Sequence, residues 1–111
     1  MPDDTDTAMA LRALGHPLRL RIAHMLHTGE KCVCEILSAL EATQPNISQH
    51  LAVMKRAGIV KCYRKGAYVF YSLSSQEVNE IIRECRKLIG APEPEPYIPM
   101  VDPCGTEAER R

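Results

Sequence analysis

From Cys32 to Tyr71 the chain compresses two short helical periodicities, a three-residue turn and two alternating apolar strands into forty residues. Few folds accommodate that order. Ile36, Leu37 and Leu40 recur at helical spacing and predict a helix over roughly 33–40. Glu41-Ala42-Thr43 turns the chain. Thr43 or Gln44 can cap the next helix, and Pro45 is tolerated in its first turn. Gly58 ends that helix by supplying a residue free to adopt left-handed backbone angles. Two short helices joined by about three residues satisfy helix-turn-helix geometry. Ile59 to Arg64 and Ala67 to Leu73 are then rich in Val, Tyr and Phe, and Lys65-Gly66 between them predicts a hairpin.

The flanks are helical. Asp6 or Thr5 can cap a first helix over 7–14, broken by Gly15-His16-Pro17, and Pro17 suits the first position of a second helix. Leu18, Ile22, Met25 and Leu26 share one face of that helix, which Thr28-Gly29 ends. Beyond the hairpin, Ser74 or Ser75 starts a last helix over about 76–89 in a capping-box-like arrangement. Its apolar stripe is Val78, Ile81, Ile82, Cys85 and Leu88. A chain of 111 residues has too little core to cover both this stripe and the apolar face of the first helix, so a homodimer through first and last helices is expected. Residues 91–111 carry five prolines and several acids, and predict an extended tail that proline stiffness carries outward. The expected fold class is mainly α with a small β-hairpin: a helix-turn-helix domain over 5–90 and a Pro-rich acidic tail over 91–111.

Charge matters by its placement. Formal net charge is zero, which by itself argues against nucleic acid. Yet no acid falls between Ala42 and Gln76, while Lys55, Arg56, Lys61, Arg64 and Lys65 all do. A local basic patch on a neutral chain is still an electrostatic footprint for DNA. The acidic N-terminus lacks the basic-then-apolar pattern of a secretory signal, and no apolar run reaches membrane-spanning length, so the cytoplasm is the expected compartment. Five cysteines, odd in number and without framework spacing, suit structural, metal-binding or redox roles there.

Taking about 100° per residue, Ile47, Leu51 and Met54 lie within about 60° of one another and face the core. Opposite them stand Pro45, Gln49, Ala52 and Arg56, flanked by Asn46 and Ser48. These are small or hydrogen-bonding side chains fit to lie against base edges. Gln and Asn pair bidentately with adenine, Ser with several partners, and Arg with guanine or phosphate. A helix N-terminus also favours phosphate. His50 points to the core edge and is expected to be a structural, hydrogen-bonded residue. Arg64 and Lys65 at the hairpin tip form a wing against phosphate or minor groove, with Tyr68 in support.

With these residues in place, the chain resembles the ArsR/SmtB family of metal-responsive winged-helix repressors over about 9–89. The resemblance rests on ALGHPLRLRIAHML, CVCEIL, QPNISQHLAVMKRAGIV and KGAYVFYSL. It implies a homodimeric repressor that binds double-stranded operator DNA and dissociates when its inducer arrives. Carried over, Gln44, Asn46, Ser48 and Gln49 are recognition-helix contacts, and Cys32 and Cys34 are the inducer ligands of the arsenic- or cadmium-type subgroup. Two departures stand out. Leu37 occupies the position where arsenic sensors of this type often have a third cysteine. The last helix offers Glu77, Glu80 and Glu84 but no histidine, so the zinc site some relatives place there is expected to be absent.

Two residues apart on a helix, Cys32 and Cys34 would point about 200° from each other. They can converge only if the helix starts after Cys32 or its first turn opens. Thiols at a helix N-terminus ionise more readily, which favours soft-metal or metalloid capture. As(III) or Sb(III) is the expected inducer, with Cd(II), Pb(II) or Zn(II) as alternatives. Trivalent arsenic is served by three thiolates, and Cys104 is the candidate third, since fourteen residues beyond Gly90 reach about 46–50 Å when extended. Cys62 and Cys85 read as packing residues. A thiol redox or persulfide trigger is the alternative for the pair, and a winged helix used only for protein contacts is the alternative of another class. An enzyme is not expected. Cys104 and Arg110 do match the spacing of thiol phosphatase and arsenate reductase loops, but Glu107 and Glu109 would repel an anion there.

Overall fold

A computed structural model describes residues 1–97. In chain order the elements are α1 (Asp4–Leu14), α2 (Pro17–His27), β1 (Lys31–Cys32), α3 (Val33–Leu40), α4 (Gln44–Arg56), β2 (Val60–Lys65), β3 (Tyr68–Leu73) and α5 (Glu77–Ile89). Among the described residues no helix is long and apolar enough to cross a membrane.

α1 starts three residues earlier than its sequence suggests, because Asp3 and Asp6 form a reciprocal capping box. The Asp3 carboxylate accepts from the Thr5 and Asp6 amides, and the Asp6 carboxylate accepts from the Asp3 amide. α2 is capped by His16, whose Nδ1 accepts from the Leu18 amide at 3.0 Å, with Pro17 directly inside. Ser75 accepts from the Glu77 amide at the start of α5, without a reciprocal side-chain cap from Gln76.

The sheet holds one strand more than the expected hairpin. β2 and β3 pair antiparallel from Val60↔Leu73 to Lys65↔Tyr68, around a two-residue loop with Gly66 at φ +62. That is the position a type II′ turn reserves for glycine. β1 adds to the other side of β3, with Lys31 opposite Tyr71 and Cys32 opposite Phe70, giving the order β1-β3-β2.

The core lies where α2, α3 and α4 meet the sheet. Ile22, Ile36, Ile47, Leu51 and Met54 are fully enclosed, joined by Val60 and by Val78 of α5. The three α4 members are the apolar face read from helical spacing. α4 begins at Thr43, whose hydroxyl accepts from the Asn46 amide at 3.4 Å. Just past its last turn, Gly58 takes φ +78 and lets the chain drop into β2. Because the Thr43 cap is long, Thr43→Ala is expected to cost about 0.5–1 kcal/mol in urea denaturation, the low end for an N-cap.

The described part of the proline-rich segment does not run outward. From Gly90 to Tyr97 it turns back over α2 and reaches the start of α3. Arg86 Nη1 donates to the Pro92 carbonyl at 2.6 Å, His24 Nε2 to the Glu95 carbonyl at 2.7 Å, and the Tyr97 hydroxyl to the Glu35 carboxylate at 2.5 Å. Lys31 Nζ sits 5.7 Å from the Tyr97 ring centroid. Proline stiffens a segment but leaves its direction to the contacts at its ends, and here those contacts point inward.

Candidate nucleic-acid interface and sulfur pair

The residues expected to read DNA share two adjoining edges of the molecule. Gln44, Asn46, Ser48, Gln49 and Arg56 are all exposed along α4, whose buried side is Ile47, His50, Leu51 and Met54. The first turn of α4 contains no acid, and Lys55 and Arg56 close its last turn. Arg64 and Lys65 are exposed at the end of β2, at the hairpin tip. Tyr63, behind that tip, stacks on Phe70 with ring centroids 5.5 Å apart, and its hydroxyl bonds to the Glu30 carboxylate. The wing is thereby fastened to the segment that leads into α3.

His50 is buried at the core edge and is held by a cluster that sequence periodicity does not disclose. Arg19 Nε donates to His50 Nδ1 at 3.1 Å, and the same guanidinium donates to the Arg12 and Ala13 carbonyls at the end of α1. The His16 ring lies 4.3 Å from that of His50. Arg19 therefore ties the end of α1 to α4. Burial first, then the neighbouring His16 and Arg19 charges, hold the His50 pKa below the ordinary histidine value.

The sign of the pH effect follows. Over the window between the ordinary value and the lowered one, the unfolded chain binds more protons at His50 than the native protein does. The stability due to neutral His50 is complete above the ordinary value of about 6.5 and is lost as pH falls below it. Urea unfolding at pH 7.5 and 5.5 is expected to show a smaller acid loss in His50→Gln than in the native chain. Equal losses in the two proteins would refute this assignment.

Cys32 and Cys34 meet at the head of α3. Cys32 is the N-cap, in extended backbone at φ −69 and ψ 148, and Cys34 is the second residue of the helix. The helix thus begins after Cys32, the condition under which two sulfurs at this spacing can converge. They are joined as a disulfide, with Cα atoms 5.4 Å apart, and the Cys34 amide also donates to Cys32 Sγ at 3.3 Å. As a disulfide the pair cannot ligate a metal, so capture requires prior reduction to thiols. Cys32 is buried and Cys34 half-buried.

Other sulfurs stand apart from this pair. Cys62 faces Tyr71 across the β2–β3 ladder, on the sheet side opposite Phe70 and Cys32. Burial, then Cys62 by charge and hydrogen bonding, raises the Tyr71 phenol above its ordinary range. Cys85 is exposed on α5, in a groove it shares with Leu11, Leu14, Ile81, Ile82 and Ile89. Cys104, like the Cys104–Arg110 spacing, lies outside the described residues. Among the described residues no cluster of three His, Cys, Asp or Glu side chains is assembled to hold a metal ion.

One neighbour of the sulfur pair escaped the sequence reading. Glu35, the third residue of α3, is buried and accepts from Tyr97. Cys32-x-x-Glu35 has the spacing of a capping box with sulfur in place of a hydroxyl, a signal that would have placed Glu35 in the same turn.

Comparison with known proteins agrees with this geometry. Residues 16–61 match the model of the bacterial regulatory protein, arsR family. The biofilm growth-associated repressor of Agrobacterium fabrum is 37% identical over 89 residues, covering 80% of this chain and 76% of that protein. An arsenic resistance transcriptional regulator of Pseudomonas putida is 42% identical over 66 residues, 59% of this chain and 52% of the relative. HlyU of Vibrio cholerae, a transcriptional activator, has a solved structure that superposes with a TM-score of 0.69 at 37% identity, covering 79% of this chain and 97% of that one. These relatives are named as a repressor, a transcriptional regulator and a transcriptional activator. The chain belongs to the arsR family of bacterial regulatory proteins, as a winged helix-turn-helix transcriptional regulator.

Proposed function

We propose that the chain is a homodimeric repressor that holds operator DNA through α4 and the wing and releases it when Cys32 and Cys34 capture a thiophilic ion. As(III) or Sb(III) fits the pair best, and Cd(II), Pb(II) and Zn(II) are the other candidates. The observation that carries this reading is the meeting of two sulfurs at the N-cap of α3, the helix immediately before the reading helix. Once reduced, thiolates there are favoured by the helix N-terminus and present soft donors a few ångströms apart. Closing them on an ion resets the first turn of α3 and, through the short turn 41–43, the seat of α4.

The relatives lend support without deciding the inducer. The Pseudomonas putida protein is named for arsenic resistance and the Agrobacterium fabrum protein as a repressor. The third thiolate that trivalent arsenic takes is assigned to Cys104. With Tyr97 seated against Lys31 and Glu35, Cys104 follows seven positions after Tyr97, a reach of about 23–25 Å. A ligand from the same chain is therefore within range. Dimerisation is assigned to the exposed apolar residues Met9 and Leu11 of α1 and Ile81, Leu88 and Ile89 of α5, which together leave a surface a second copy would cover.

The disulfide itself favours a second reading, in which oxidation of the pair is the trigger. A binding assay on the chain's own promoter DNA separates the two. It is run with the reduced protein and titrated with As(III), Sb(III), Cd(II), Pb(II) and Zn(II), and separately with an oxidant in the absence of metal. Release by a thiophilic ion at constant reduction supports metal sensing. Release only on oxidation, reversed by dithiothreitol, replaces it with the redox reading.

A further inference from the structure

The turn that carries the sulfur pair also carries the anchor of the tail. Cys32, Cys34 and Glu35 occupy the N-cap, second and third positions of one helical turn. Tyr97 bonds to Glu35, and its ring faces Lys31, the residue preceding Cys32. At its other end the segment is tied to α5 by Arg86 and to α2 by His24. We propose that residues 90–97 are a strap from α5 to the head of α3, and that its docking is coupled to the chemical state of Cys32 and Cys34.

The physical basis is the shared turn. With the disulfide closed, the turn holds Glu35 where the Tyr97 hydroxyl can reach it. Reduction adds two electrons and two protons to the S–S bond, taken from a dithiol that itself closes to a disulfide, and frees the two sulfurs to separate. Glu35 lies one residue from Cys34, so its carboxylate moves with that change and the tyrosine contact is weakened. Coupling of this kind is reciprocal: whatever the disulfide contributes to strap docking, docking contributes to the disulfide. The inference depends neither on DNA nor on which inducer acts, and so extends beyond the proposed function.

Tyr97→Phe removes only the hydroxyl, and keeps the ring over Lys31. The full chain and this variant are equilibrated against graded ratios of reduced to oxidised dithiothreitol, quenched by alkylation and digested with trypsin. One tryptic peptide, Cys32 to Lys55, holds both sulfurs and no other cysteine. Expected is a shift of about tenfold toward the dithiol in Tyr97→Phe, equivalent to about 30 mV. In the native chain, amide exchange at Ala91, Glu93, Glu95 and Tyr97 is expected to quicken on reduction. An unchanged dithiol–disulfide equilibrium in the variant overturns the coupling, as does identical tail exchange in the two states of the native chain. Ion-driven release from DNA is a separate measurement, and its failure would leave this linkage standing.

Discussion

Replacing both Cys32 and Cys34 with serine is expected to leave a folded, DNA-binding protein that no longer answers As(III), Sb(III) or Cd(II). Serine is a good N-cap, so at position 32 its hydroxyl can take over the sulfur's place at the head of α3. What disappears is the soft donor, which an alcohol oxygen does not replace for a thiophilic ion. Inducer coupling of about 1–3 kcal/mol corresponds to a 5- to 150-fold loss of DNA affinity per site in the native protein. The double variant should show none of it. Anisotropy of labelled promoter DNA, titrated with each ion under reducing conditions, measures this directly. Should the double variant let go at the same ion concentration as the native chain, the sulfur pair is not the sensor.

Gln49→Ala, on the exposed side of α4, is expected to weaken promoter binding by about 1–3 kcal/mol per subunit, the worth of one bidentate base contact. A two-fold dimer loses it twice, about 2–6 kcal/mol in all. Asn46→Ala should behave alike. The loss should be confined to the specific site, with affinity for scrambled DNA unchanged. Arg64→Ala and Lys65→Ala at the hairpin tip should act in the opposite fashion. They weaken specific and scrambled DNA together and flatten the dependence on log salt by about 0.9 for each phosphate contact removed. If Gln49→Ala and Asn46→Ala bind the promoter as tightly as the native chain, the assignment of α4 as the reading helix fails.

Local rules account for what was legible beforehand. Ile47, Leu51 and Met54 announce one side of α4 by spacing alone, and Thr43 and Gly58 mark its ends because capping chemistry acts over one turn. The hairpin followed from β-rich residues around Lys65-Gly66. The condition for Cys32 and Cys34 to converge was also legible, since helix geometry forbids it inside a helix. β1 was invisible because two residues have no periodicity, and its partners Phe70 and Tyr71 lie nearly forty positions away. The Arg19–His50 bond spans thirty-one residues and joins elements whose packing no local pattern dictates. The inward course of the segment from Gly90 to Tyr97 was hidden for a related reason. Its composition reports stiffness, whereas its course is decided by Arg86, His24 and Glu35, which stand on three other elements.

The short strand has a mechanical consequence. Cys32 is the last residue before α3 and at the same time lies opposite Phe70 on the strand that rises into the wing. No slack chain intervenes between the place where chemistry would occur and the arm that would embrace the duplex. A pull on that sulfur would act on β3 as well as on the helix pair. One small rearrangement would therefore loosen both hands on the DNA in the same instant.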